Sequence, residues 1–234
     1  MAERVVVAPD KFKGSLSATD VTARRQAEEH LRLVNNELNH RVKNTLATVQ
    51  ALAAQTFKSA DRAARDEFEM RLASLAAAHD LLTERGWGRV GLSELVTRSL
   101  RVFQEADRWS AEGADADLSP KAIIALAMTL HELGMNATKY GARSQASGRV
   151  EMSWRVGESG DERPLKMVWQ ERDGPPVVAP TGRGFGSRLI ERGLSGELGG
   201  TSRLTFARTG VVCEIEIPIQ SIRQVAAPLE LAAS

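Results

Sequence analysis

Two long stretches of the chain repeat apolar residues at steps of three and four. The first, residues 20–58, contains no proline or glycine, and its stripe is Leu31, Val34, Leu38, Val42, Leu46, Val49 and Ala53. The second ends at Gly86, and its stripe is Phe68, Leu72, Leu75, Ala76, His79 and Leu82. This spacing predicts two amphipathic helices joined as a hairpin. Because one hairpin leaves an apolar face open, we expect two copies to form a four-helix bundle.

The second half of the chain mixes helical and strand patterns. Ser93 is predicted to cap a helix through Phe103, and Ser119-Pro120 is a typical start of another helix. Alternation of apolar and polar residues predicts strands at residues 150–156, 165–171, 203–208 and 211–217. The last two are expected to join through a turn at Thr209-Gly210. Helices followed by antiparallel strands indicate an α+β fold with helices on one face of a sheet.

Composition narrows the class of protein. The chain has 234 residues, of which 42% are hydrophobic and 26% charged, as in ordinary globular proteins. A net charge of +1 offers no electrostatic case for nucleic acid, and no apolar stretch is long enough to cross a bilayer. Cys213 is the single cysteine, so no intrachain disulfide forms and a reducing cytoplasm is expected. We expect this thiol to be buried and structural.

His40 lies off the apolar stripe of the first predicted helix. A neutral, exposed imidazole can attack the γ-phosphorus of a nucleotide in line and carry the phosphoryl group. Asn44 follows one turn later on the same face, where its amide can hydrogen-bond the ring or the transferred group. This pair predicts a phosphoacceptor site, whereas a solvated surface histidine is the simpler alternative.

His131, Glu132 and Asn136 form a second polar cluster inside an apolar helical pattern. Glu132 and Asn136 are four residues apart and share a helix face. An asparagine oxygen suits Mg²⁺, and Glu132 can orient a metal-bound water or accept a proton from the attacking imidazole. Lys139, one turn beyond, can meet phosphate charge. The cluster predicts a magnesium–nucleotide site; ordinary polar residues near a helix end are the alternative.

Two further segments are suited to a nucleotide. Residues 169–176 end a predicted strand in an acidic turn, where a carboxylate can accept the exocyclic amine of adenine. Residues 182–190 form a glycine-rich loop that runs into a helix, and backbone amides at a helix start bind phosphate. A plain strand-to-loop transition is the alternative explanation for the first segment.

The ordered set of motifs resembles the transmitter region of HWE-family sensor histidine kinases, over roughly residues 25–219. The family letters match His131, Trp169 and Glu171. The resemblance implies a dimerisation and phosphotransfer hairpin followed by a GHKL-type ATP-binding α/β sandwich. It also implies that the protein uses ATP and Mg²⁺ to phosphorylate its own histidine and then an aspartate in the receiver domain of a response regulator. The homodimer is expected from the open apolar face of the hairpin, and the resemblance leaves the oligomeric state open.

The resemblance also implies roles for individual residues. His40 is the implied phosphorylation site and Asn136 the implied Mg²⁺ ligand, with Asn44, His131 and Glu132 as further catalytic groups. The implied nucleotide contacts are Asn136, Lys139, Trp169, Glu171, Asp173, Gly184, Phe185 and Gly186. Glu171 and Asp173 compete for adenine, and motif order favours Glu171. Arg41 follows the histidine where other histidine kinases have an acid, so the identity of the proton acceptor stays open.

The N-terminal segment has a different resemblance. Residues 5–18 resemble the opening strand and loop of glycerate kinases, but the match is too short to build a core or a kinase site. We therefore expect an inactive leader and no sensor domain. The predicted divisions are a leader at 1–19, the hairpin at 20–86, the ATP-binding domain at 90–219 and a tail at 220–234. The rival hypothesis is a non-catalytic phosphotransfer or scaffold protein with a degenerate nucleotide site.

Overall fold

The computed structural model describes residues 18–57, 61–84, 90–103, 108–157, 164–179 and 185–222. The chain divides into two compact units, residues 1–42 and residues 43–234. All but the last residue of the segment that resembles glycerate kinases lies outside the described residues, and so does Gly184. The domain boundaries expected from the sequence stay predictions.

Two long helices open the described chain, close to the predicted bounds. Helix α1 is Ala18–Thr56 and helix α2 is Arg62–Glu84. Within the second unit, the end of α1 packs against α2 as the predicted hairpin. The rings of Phe57 and Phe68 lie 6.1 Å apart, and Lys43 Nζ lies 2.8 Å from Asp80 Oδ1.

A mixed segment of helices and strands completes the second unit. Its helices are α3 (Leu92–Arg101), α4 (Pro120–Lys139), α5 (Phe185–Leu198) and α6 (Ile219–Ile222), with a 3-10 turn at Ala142–Ser144. Its strands are β1 (Val90–Gly91), β2 (Trp109–Gly113), β3 (Asp117–Leu118), β4 (Arg149–Arg155), β5 (Leu165–Arg172), β6 (Thr201–Ala207) and β7 (Gly210–Ile217).

Five strands form one sheet in the order β2-β4-β5-β7-β6, and β1 pairs with β3 separately. The buried residues of β4, β5 and β7 alternate along each strand and join one hydrophobic core with the apolar side chains of α3, α4 and α5. The predicted α+β class, with a helical hairpin before a helix-covered sheet, is therefore confirmed. The four predicted strands pair antiparallel, as expected. An edge strand that the sequence did not predict, β2, pairs with β4 in parallel.

The starts of two helices test the capping predictions. Ser119 caps α4 as expected, since its hydroxyl accepts the Ala122 N–H at 3.3 Å and Pro120 opens the helix. Ser93 does not cap α3, because β1 runs directly into the helix and Gly91 is the N-cap residue. The Ser93 N–H donates instead to the Asp115 side chain at 3.0 Å, a partner 22 residues away.

Two smaller expectations concern the turn between the last strands and the single cysteine. The turn between the last two strands lies at residues 208–209, one residue earlier than predicted, because Gly210 already pairs with Ala207. Cys213 is buried, as expected, and burial raises the pKa of its thiol to about 12. No helix in the described part of the chain is long and apolar enough to cross a membrane.

Candidate functional site

Helix α4 carries most of the predicted site. Its apolar residues are buried in the core, while Glu132, Asn136 and Lys139 follow one another at steps of four and three. Residues at that spacing share one helix face. Asn136 is exposed on this face and Glu132 is only 3% exposed. The helix ends here, since the backbone N–H groups of Tyr140 and Gly141 both donate to the Asn136 carbonyl.

Arg71 on α2 holds the Glu132 carboxylate with two hydrogen bonds. Its Nε lies 2.5 Å from Glu132 Oε1, and its Nη2 lies 2.9 Å from Oε2. This paired geometry is the strongest that arginine and a carboxylate make. The hydrogen bond to Glu132 raises the pKa of Arg71, against an opposing effect of burial. The sequence patterns did not single out Arg71, because an arginine beside an apolar stripe is indistinguishable from a solvated one.

Glu67 extends this network along the face of α4. Its Oε1 lies 2.5 Å from Arg71 Nη2, and its Oε2 lies 3.6 Å from Lys139 Nζ. Glu67 and Arg71 are four residues apart on α2, so they face the same neighbours. The predicted phosphate-binding Lys139 is therefore paired with a carboxylate that sequence reasoning missed.

The start of α5 lies against Glu132. A Cβ atom on Gly186 would lie 2.5 Å from Glu132 Oε2, so this position needs glycine. Gly186 lies in the first turn of α5, which begins at Phe185. The structure thus brings the predicted glycine-rich segment and the acid of α4 together. An acid, an amide, a cation and the first turn of a helix occupy one region.

His131 points away from this charged face. It is buried and stacks on Phe103, with ring centroids 5.7 Å apart. Burial lowers its pKa, which favours the neutral imidazole. Among the described residues, its Nε2 atom has no hydrogen-bond partner. Its predicted catalytic role stays a prediction.

Trp169 and Glu171 lie on the buried face of β5. The Trp169 ring packs on Trp109 at 5.6 Å, and its Nε1–H donates to Glu171 Oε1 at 3.4 Å. The other oxygen of Glu171 accepts the Ala142 N–H at 2.8 Å. Burial raises the pKa of Glu171, and these two hydrogen bonds act in the opposite direction. Glu171 therefore ties the end of β5 to the backbone that follows α4.

Gly141 and Asp173 lie close in sequence to the two residues of this hydrogen bond, Ala142 and Glu171. Gly141 comes so close to Glu171 Oε2 that a Cβ atom would collide with the carboxylate. Asp173 has a positive φ of 55° and is exposed, and its carboxylate pairs with Arg149 at 2.8 Å. The two carboxylates predicted to compete for adenine thus occupy different environments, one buried and one at the surface.

His40 and Asn44 are both exposed on α1. His40 belongs to the first compact unit, and the groups around α4 belong to the second. The neighbouring Arg41 pairs with Glu37 at 2.9 Å. An exposed imidazole is the condition that a phosphoacceptor must meet.

The fold is similar to the solved histidine kinase domain of the Erythrobacter litoralis EL346 blue-light activated histidine kinase, with a TM-score of 0.55 at 21% identity, covering 82% of this chain and 96% of that one. A longer EL346 structure matches with a TM-score of 0.57 at 17% identity, over 79% of this chain and 60% of that one. The helical segment and helix-covered sheet therefore share the fold of that solved domain.

Comparisons at the level of sequence support the HWE resemblance. Residues 37–115 match the model described as HWE histidine kinase. A blue-light-activated histidine kinase of Brucella anthropi is 38% identical over 204 residues, and one of Brucella ovis is 35% identical over the same length. Both alignments cover 86% of this chain but only 42% of the relative. The chain thus spans less than half the length of these relatives.

Proposed function

We propose that this chain is an HWE-family protein-histidine kinase that uses ATP to phosphorylate its own His40. The observation that carries the proposal is that Glu132, Asn136 and Lys139 share one face of α4. Gly186, in the first turn of α5, lies against the Glu132 carboxylate. The HWE match includes His40, and the relatives named above are histidine kinases, which supports the same reading.

The groups on α4 fit a magnesium–nucleotide. The exposed Asn136 offers an amide oxygen, the kind of hard ligand that Mg²⁺ accepts beside waters and phosphate oxygens. Lys139 and the first turn of α5 offer positive charge and backbone N–H groups to phosphate. When bound, Mg²⁺ neutralises charge that develops on the phosphate oxygens.

Adenine recognition is proposed for the end of β5. Trp169 forms part of a buried aromatic cluster there, and Glu171 and Asp173 offer carboxylates. Glu171 would have to exchange its hydrogen bond with Ala142 or Trp169 for one with adenine, whereas Asp173 would have to leave Arg149. Comparing ATP affinity in Glu171→Gln and Asp173→Asn distinguishes the two.

The proposed transfer is a displacement at phosphorus. A nitrogen lone pair of His40 forms the N–P bond while the P–O bond to ADP breaks, and Glu132 accepts the imidazole proton. The phosphoryl group then passes to an aspartate of a response-regulator receiver domain. Phosphoryl transfer of this kind depends on positioning and charge stabilisation more than on covalent chemistry by the enzyme.

Labelling with γ-labelled ATP and Mg²⁺ tests the phosphoacceptor. Wild type should acquire an acid-labile, alkali-stable label that His40→Ala lacks. His30→Ala is the matched control, because His30 is also exposed on α1, and it should keep the label. Label retained in His40→Ala would refute the assignment, and a chain that binds no ATP would favour the non-catalytic scaffold instead.

We also propose that the kinase acts as a cytoplasmic homodimer. Among the side chains of α1 that the structure describes, five large apolar ones are exposed in the single chain: Leu33, Val34, Leu38, Val49 and Leu52. Covering this stripe with a second copy would remove apolar surface from water, which is the usual driving force for helical bundles. A buried free thiol at Cys213 is consistent with a reducing compartment.

A further inference from the structure

Glu67 bridges two cations at the phosphate end of the proposed nucleotide site. Its carboxylate contacts Arg71 Nη2 through one oxygen at 2.5 Å and Lys139 Nζ through the other at 3.6 Å. The side chain is 38% exposed, so it can leave these partners for water without burying a charge. An anionic group that joins two cations in this way occupies the position that a phosphate requires.

The partners of Glu67 connect it to residues on both sides of the proposed magnesium ligand, Asn136. Arg71, one partner of Glu67, is also bonded to Glu132, and its other partner is Lys139. Glu132 and Lys139 flank Asn136 on the same helix face. Glu67 thus contacts Lys139 at one end of this face directly and reaches Glu132 at the other end through Arg71.

The donors of Arg71 explain how a phosphate would replace Glu67. Arg71 Nε and one N–H of Arg71 Nη2 donate to Glu132, and the other N–H of Nη2 faces Glu67. A phosphate oxygen can take the place of the Glu67 carboxylate at Arg71 Nη2 while the hydrogen bonds from Arg71 to Glu132 stay in place. Arginine is well suited to this task, since its planar fork binds carboxylate and phosphate alike.

Charge balance makes the two anions mutually exclusive. Arg71 and Lys139 supply two positive charges, which Glu67 and Glu132 together cancel. A nucleotide phosphate added to this set would place like charges within a few ångströms of each other unless Glu67 moved away. Its departure frees one donor on Arg71 and the ammonium of Lys139.

We propose that Glu67 is an internal competitor of nucleotide phosphate, and that Arg71 joins Lys139 as a phosphate ligand when Glu67 is displaced. The proposal rests on the proposed nucleotide site and adds two residues of α2 to it. Glu67 then sets the affinity for phosphate, and Arg71 connects the phosphate to the acid on α4.

Glu67→Gln in the whole chain tests the competition. We expect the Kd for Mg-ATP to fall by about fivefold, a typical size for removing one competing surface charge, and the gain to shrink at high salt. The Kd for adenosine, which has no phosphate, should not change. Glu69→Gln is the matched control, because Glu69 is an exposed acid of the same helix paired with Arg65 instead, and it should leave both affinities unchanged.

A second comparison tests Arg71 without leaving a buried charge unpaired. In a Glu132→Gln background, adding Arg71→Gln should weaken Mg-ATP binding by about fivefold and leave adenosine binding unchanged. Equal ATP affinity in the single and double variants would remove Arg71 from the phosphate site.

The outcomes separate this inference from the proposed function. If wild type binds ATP and Glu67→Gln binds it no more tightly, the competition is overturned and the nucleotide site stands. The same holds if Glu67→Gln raises the affinity for adenosine as much as the affinity for ATP. Binding of ATP by Glu67→Gln but not by wild type supports a strong competitor. Failure of both proteins to bind ATP overturns the nucleotide site and the inference together.

Discussion

Arg71 of α2 and Glu132 of α4 form a part-buried, doubly hydrogen-bonded ion pair between the helical hairpin and α4. The side chains are 17% and 4% exposed, so neither charge has ready access to water as a substitute partner. The acid proposed to accept the proton of His40 is thus held by α2, a helix of the hairpin.

Removing Arg71 should destabilise the fold. Arg71→Ala leaves Glu132 buried without its partner, which costs about 3 kcal/mol at sites of this kind. Urea unfolding measures the change. Arg62→Ala is the control, since Arg62 is a highly exposed arginine of the same helix with a pair at 3.8 Å, and it should change stability by less than about 0.5 kcal/mol. Equal losses in the two variants would argue against a special role for the Arg71–Glu132 pair.

Glycine at position 186 should be required for the site. The Cβ of Gly186→Ala would lie 2.5 Å from Glu132 Oε2, so the carboxylate or the start of α5 must move. We expect lower stability and weaker ATP binding, measured by urea unfolding and titration. Gly193 on the same helix has no atom within 4 Å of its Cβ position, so Gly193→Ala should stabilise α5 by up to about 1 kcal/mol. The idea fails if the two substitutions behave alike.

Glu171 should make stability depend on pH. Burial raises its pKa above the ordinary value of 4.5, so the folded state holds the proton more tightly than the unfolded state. Its contribution is present below pH 4.5 and is lost as the pH rises through the folded pKa. Glu171→Gln removes this titration, so the variant should gain stability relative to wild type with rising pH.

Urea unfolding of both proteins between about pH 4 and about pH 8 measures that difference. Glu151→Gln serves as a control, because Glu151 is a more exposed acid on the neighbouring strand and pairs with Arg172 at 2.8 Å. A stability difference between Glu171→Gln and wild type that stays constant over this range would contradict the predicted titration.

The exposed stripe of α1 should mediate self-association. Leu52 is 57% exposed in the single chain, and Leu52→Glu would place a charge in the proposed bundle core. Light scattering should show a dimer for wild type and a monomer for this variant. Gln50→Glu, at another exposed position of α1, should remain dimeric. A monomeric wild type would contradict the proposal.

Several elements could be predicted because their signals are local. The apolar spacing in α1 and α2 predicts their extent to within four residues at each end, and the Ser119-Pro120 pair marks the start of α4. Polar residues inside the apolar pattern of α4 indicated the candidate site. Each of these signals depends on neighbours within one or two helical turns.

Other features depend on partners far along the chain. At the start of α3, the backbone N–H of Ser93 donates to the Asp115 side chain, and no pattern near Ser93 indicates that partner. Strand β2 was not anticipated, because a short edge strand that is mostly exposed lacks the alternation that marks a half-buried one. Glu171 could be selected by its motif, but its hydrogen bond to Ala142, 29 residues earlier, could not be foreseen.

The sequence by itself determined the two long helices, four of the five strands of the main sheet, the residues of the α4 face and the exposed histidine on α1, since spacing and residue chemistry are local properties of the chain. Only the tertiary structure decided that Glu67 and Arg71 of α2 meet Lys139 and Glu132 of α4. Arg71 and Glu132 are 61 residues apart, and a charged side chain carries no local mark of which opposite charge it will meet. The packing of α2 against α4 selects that partner.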